Sequence, residues 1–207
     1  KTTAIKIALG AVLPGNGSAH LIDKTRVGVV LDQPCWQATW RVRDLSRLLG
    51  PFYPGWDQRV FDELCEWAGV SQRLKVREFS RGMGMKVQVA VALAHRAELL
   101  VLDEPTSGLD PLARGELLDK LSEFMTDERH SVLFSTHITT DLDRMADLVT
   151  ILDAGRVIAS GARDDLLEAW AMVRGGAADL TGELRARIRG LRQHSAGWEG
   201  LIAAADL

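Results

Sequence analysis

The chain reads as an α/β protein: a mainly parallel sheet, an inserted helical segment and a small C-terminal appendage. Three observations predict this. Residues 99–102 (LLVL) are four consecutive apolar residues, the pattern of a strand buried on both faces of a parallel sheet. Strand-like and helix-like stretches alternate along the chain to residue 161, which places helices on both faces of that sheet. Two acids, Asp103 and Glu104, follow the apolar run directly, and Pro105 prevents the strand from continuing. Carboxylates there stand at the edge where open α/β sheets bind their ligands.

The elements follow in order. Residues 2–11 have helical spacing (Ile5, Ala8, Leu9), closed by Gly10 and Pro14, and residues 14–17 (PGNG) are turn material. Residues 27–31 form a short apolar strand. Residues 40–69 turn helical, with a break at 51–55. Asp57 can cap a helix whose apolar face is Val60, Phe61, Leu64, Cys65 and Ala68, and Gly69 ends it. Ser80 is the N-cap for a helix through His95, with Met83, Val87, Val91 and Ala94 along one stripe. Asp110 caps the next helix, Pro111 takes its first position, and Leu117, Leu118, Leu121 and Phe124 face the core. Residues 132–135 and 148–152 are strands with a helix at 138–146 between them. Residues 156–160 pair back after Ala154-Gly155 as a hairpin. Beyond Gly161 the stretches 166–173 and 180–191 are helical or mixed. Arg185, Arg187, Arg189 and Arg192 line the second, as a solvated basic face or a docking surface. The end, GWEGLIAAADL, offers no closing element and is expected to be incomplete.

A chain of 207 residues can bury a sizeable core. Its 46% hydrophobic and 26% charged residues are ordinary for a globular protein. A net charge of −3 leaves no electrostatic footprint for nucleic acid, so no nucleic-acid partner is expected. Cys35 and Cys65 have neither metal-ligand spacing nor a C-x-x-C arrangement, and are expected to be free thiols in a reducing compartment. No apolar stretch approaches the ~20 residues that span a bilayer, and no leader is visible, so any membrane part is expected on another polypeptide.

Residues 99–110 read LLVLDEPTSGLD, and the run resembles the Walker B and D-loop segment of ABC-type ATPases. Upstream, FSRGM at 79–83 stands in the place of that family's signature, usually LSGGQ. Downstream, Ser135-Thr136-His137 resembles its switch histidine. At the start, Lys1-Thr2-Thr3 followed by AIKIAL resembles the tail of a Walker A loop entering its helix. The resemblance implies a P-loop NTPase core over residues 1–161, with a helical subdomain at 40–95 and an appendage at 162–207. It also implies a Gly-rich loop and two strands ahead of Lys1, and a longer connection near Asp23-Lys24. The sequence is therefore expected to be part of a longer protein, and turnover to depend on that loop.

The resemblance implies roles residue by residue. Lys1 would reach the ATP phosphates, Thr2 would place its hydroxyl on Mg²⁺, and Thr3 would bind nearby or cap the helix. Asp103 would hold Mg²⁺ through water, and Glu104 would be the carboxylate that orients the attacking water. His137 would keep Glu104 and the γ-phosphate aligned. Ser80 and Gly82 would face ATP held by a second cassette, and Asp110 would couple the two sites. Two departures stand out. Arg81 and Met83 replace the usual Gly and Gln of the signature, and the place of the glutamine expected after strand 27–31 falls to Asp32 or Gln33, either of which would serve as an Mg²⁺ or water ligand. Trp36 and Trp40 pack the helical subdomain or line the groove for the membrane partner. The implied function is the ATP-hydrolysing subunit of an ABC exporter of the multidrug or antimicrobial-peptide type. It would be peripheral on the inner face of the cell membrane, with a transmembrane permease subunit and a second cassette as partners. The alternative is a soluble non-transport ABC protein, or a regulatory cassette that binds ATP without hydrolysing it.

Overall fold

The computed structural model describes residues 1–206, which divide into two compact units, the first Lys1–Asp141 and the second beginning at Leu142. The first is built on three parallel strands in the order β1 (Val27–Val30), β2 (Leu99–Asp103) and β3 (Ser131–Ser135). Val27 lies beside Leu99, and Asp103 beside Ser135. Because all three strands point the same way, Asp32, Asp103-Glu104 and Thr136-His137 leave the sheet along one edge. Helix α1 (Thr2–Ala8) sets Ile5 against Val27 and Val101. Gly10, at φ +74°, turns the chain away after it.

A helical subdomain fills the connection from β1 to β2. Helices α2 (Val42–Leu49), α3 (Gln58–Trp67) and α4 (Arg81–Ala94) share one core of Val42, Leu45, Phe61, Cys65, Val87 and Ala90. Trp36 and Trp40 are half-buried against that core. Asp57 caps α3 by accepting from the Arg59 and Val60 amides, and Gly69 (φ +68°) ends it, as the sequence predicts. Helix α4 departs from the expected single stripe: it is buried on nearly every side from Gly84 to Ala94. One side joins the helical core, and the other lies on β1. There Gly28 allows a contact that a side chain would block, since a Cβ would stand 2.6 Å from both Ala92 Cβ and Leu100 Cδ2. Helix α5 (Pro111–Phe124) is capped by Asp110 and buries Leu117, Leu118, Leu121 and Phe124, and α6 (Thr139–Met145) follows β3.

The second unit holds two antiparallel sheets. Strands β4 (Leu148–Asp153) and β5 (Arg156–Ala162) form the expected hairpin, with Ala154 and Gly155 both at positive φ, as a tight primed turn requires. Of the helical and mixed readings for the stretches beyond residue 161, the mixed one holds. Helix α7 (Arg163–Glu168) gives way to strand β6 (Trp170–Gly175), and α8 (Gly182–Arg187) to β7 (Arg189–His194). The C-terminal stretch supplies the closing element that its sequence conceals: β8 (Gly197–Ala203) is the central strand of the order β6-β8-β7. Period-two burial along β6 and the Trp198 ring against Gly175 explain the outcome. Gly197 is obligatory there, because a Cβ would lie 2.1 Å from the Gly175 carbonyl oxygen. Cys35 and Cys65 are free, the first exposed and the second buried. Among the described residues no helix is long and apolar enough to cross a membrane.

Candidate functional site

The carboxyl edge of the parallel sheet gathers the charged residues. Asp103 ends β2, is 4% exposed, and accepts a hydrogen bond from Ser135 Oγ at 2.6 Å. Glu104 follows in the left-handed region at φ +51°, which few non-glycine residues occupy outside special sites. Its amide donates to the Ser135 carbonyl at 3.0 Å and to Ser135 Oγ at 3.2 Å, so the turn is tied to β3. The Glu104 side chain thereby swings back over the strand ends.

Both Glu104 oxygens are engaged. Lys1 Nζ donates to Oε1 at 2.8 Å and to the Thr136 carbonyl at 2.6 Å. His137 Nδ1 lies 2.6 Å from Oε2, and the His137 amide donates to the same oxygen at 3.3 Å. Burial alone pushes the Glu104 carboxyl up, but the hydrogen bonds from Lys1 and His137 outweigh it and hold the group below its ordinary value. An ionised carboxylate only accepts, so Nδ1 carries the proton toward Glu104 and leaves Nε2 facing away from it.

The other sequence-predicted residues have other partners or are exposed. Thr2 and Thr3 are exposed on the first turn of α1. Ser80 Oγ accepts from the Met83 amide at 3.2 Å, and Gly82 has room for a side chain, its nearest neighbour being Ala113 Cβ at 3.5 Å. Asp110 Oδ1 accepts from the Leu112 and Ala113 amides, both at 3.0 Å. Asp32 pairs with Arg81, while Gln33 is exposed.

Two features are not foreseen from sequence. Gln88, buried on α4, accepts from the Leu31 amide at 3.1 Å and donates to the Leu31 carbonyl at 2.9 Å, pinning the exit of β1. A glutamine inside the apolar run 87–94 is the available signal. Asp141, fully buried, accepts from Thr106 Oγ1 at 2.5 Å and from Arg114 Nε at 2.7 Å. This joins the turn after Glu104, helix α5 and the segment after His137, and no local pattern announces it.

A resident Mg²⁺ fits the donor chemistry at this edge, since the Asp103 carboxylate and the Thr2 hydroxyl are hard oxygen donors. Among the described residues no three His, Cys, Asp or Glu side chains cluster as a metal cage. Mg²⁺ characteristically takes one or two carboxylates and completes its shell with phosphate and water.

Comparison with known proteins gives a consistent result. A family profile described as "AAA domain, putative AbiEii toxin, Type IV TA system" matches residues 66–142. An uncharacterised ABC transporter ATP-binding protein of Nostoc sp. is 30% identical over 81% of this chain and 54% of its own length. The Nod factor export ATP-binding protein I of Cupriavidus pinatubonensis is 32% identical over 81% of this chain and 56% of its own. The chain thus spans about half the length of the curated relatives it matches. A solved structure of the ATP-binding subunit of an ABC transporter aligns with TM-score 0.68 at 29% identity, covering 80% of this chain and 75% of that one.

Proposed function

This chain is a homologue of the ABC transporter ATP-binding proteins and has the fold of their ATPase domain, and from that premise we propose that it binds and hydrolyses ATP to drive export through a separate membrane subunit. The observation that carries the reading is Glu104, held between Lys1 and His137 beside Asp103 at the sheet edge. Lys1 is the group that phosphate oxygens would draw off, since an ammonium serves phosphate as a point charge. Its departure bares Glu104 Oε1, which then accepts a hydrogen bond from a water and orients it as general base. His137 keeps Oε2 fixed while this happens. Asp103 and Thr2 are the residues to hold Mg²⁺, which when bound offsets negative charge on the phosphates.

Ser80, Gly82 and Asp110 belong in this reading to a site completed by a second cassette. Trp36 and Trp40 stand where the helical subdomain would meet a transmembrane permease. Residues 1–161 would form the ATPase domain and 162–207 an appendage, with the protein peripheral on the inner face of the cell membrane.

The test is Mg·ATP turnover of the full-length protein beside its Glu104→Gln variant, with nucleotide binding measured in parallel. Loss of a general base costs roughly 10²–10⁴-fold in rate. The variant should lose turnover by that factor and keep its affinity for ATP within a few-fold. Normal turnover in Glu104→Gln would sink the assignment.

A further inference from the structure

Arg81 and Asp32 each stand where the motifs depart from the family pattern, and the fold brings them into contact. Arg81 is the first residue of α4, at the positive end of the helix, where a cation is unfavourable unless offset. The Asp32 carboxylate, just past the exit of β1, supplies the offset by pairing with Arg81 Nη2. The same guanidinium uses its second arm: Nε donates to the Ser107 carbonyl at 2.5 Å. Ser107 in turn donates its amide to the Glu104 carbonyl at 3.2 Å. Gly108 lies under the Arg81 stem at φ +68°, and a Cβ there would sit 3.0 Å from Arg81 Nε.

One side chain therefore joins the exit of β1, the start of α4 and the turn that begins at Glu104. The planar fork suits this task, because it places two donors at a fixed angle and a lysine cannot reproduce both. We propose that Arg81 and Asp32 act as a latch that positions the Glu104–Gly108 turn. In this latch Asp32, and not Gln33, is the functional residue at the exit of β1. The inference deepens the ATPase reading and rests on it for its catalytic consequence. The latch itself exists without nucleotide.

The test uses Arg81→Gln, Asp32→Asn, the double variant and Arg81→Lys in the full-length protein. In the nucleotide-free state, hydrogen exchange at the Ser107 and Leu109 amides should accelerate about tenfold in Arg81→Gln and less in Asp32→Asn. The double variant should match Arg81→Gln alone, as coupled positions do. Arg81→Lys should restore the Asp32 effect but leave the turn fast-exchanging, since it keeps the charge and loses the fork. Unchanged exchange in Arg81→Gln, or strictly additive effects, overturns the latch. In turnover assays kcat should fall about tenfold with ATP affinity held, as expected of a group that acts through Glu104. Faster exchange with kcat unchanged overturns the positioning role. A wild-type protein that hydrolyses no ATP refutes the proposed function, while the exchange data still decide the latch.

Discussion

His95 shows at residue scale what burial does to a titratable group. It follows α4, is 3% exposed, stacks on Tyr53 at 4.1 Å between ring centroids, and leaves Nδ1 without a hydrogen-bond partner. Burial pushes its pKa below the ordinary value, outweighing backbone hydrogen bonds that act the other way. The folded protein thus refuses a proton that the unfolded chain accepts. Stability is full above the unfolded value of about 6.5 and declines as pH falls below it, by at most ~1.4 kcal/mol per pH unit. His95→Phe keeps the stack and removes the titration, so urea midpoints measured from pH 7 to 5 should fall in wild type and flatten in the variant. Equal slopes would contradict this account. Sequence made Asp103, Glu104 and His137 legible because their chemistry is local: an apolar strand, then a charged residue. It concealed the Asp141 contacts to Thr106 and Arg114, because a partner 35 or 27 positions away leaves no periodic trace.

Elements were read best where a cap or a period was strong. Asp57, Ser80 and Asp110 each cap the helix assigned to them, and Ala154-Gly155 makes its turn. The strand at 170–175 (WAMVRG) has no bounds legible in sequence, because it follows the helical DDLLEA with no break in the pattern. Only pairing with β8 settles its alternation. Helix α4 looked amphipathic for a related reason: its second buried face is created by β1, and Gly28 carries no apolar side chain to advertise the contact. That contact is testable. Gly28→Ala forces a methyl to within 2.6 Å of Ala92 Cβ and Leu100 Cδ2, so β1 and α4 must separate. The expected loss is about 1–3 kcal/mol, typical of overpacking, read as a lower urea midpoint. An unchanged midpoint would show that the pair can yield at no cost.

At the scale of the whole molecule, Ser80 and Asp110 spend their side chains on their own helices, and the first amides of α4 are ones that a helix cannot pair within itself. Donors at a helix start favour an anion, and none of these residues bonds to the Glu104 knot. Under the proposed function that anion would be ATP held by a second cassette, which a second copy of this chain could supply. Glu104→Gln with Mg·ATP should therefore sediment as a dimer, while the nucleotide-free protein sediments as a monomer. A monomer under both conditions would argue against a shared site. The placement of the helical subdomain carries its own consequence. Residues 31–98 leave the carboxyl end of β1 and return at the amino end of β2, and because these neighbouring strands are parallel the segment is anchored at two opposite edges of the sheet. Between those anchors α4 is seated on β1 at Gly28, so the segment is held by packing as well as by its two chain ends. The anchor at Leu31 adjoins Asp32, so a displacement of the segment is felt at the Glu104–Gly108 turn through the Asp32–Arg81 pair and the Arg81 bond to the Ser107 carbonyl.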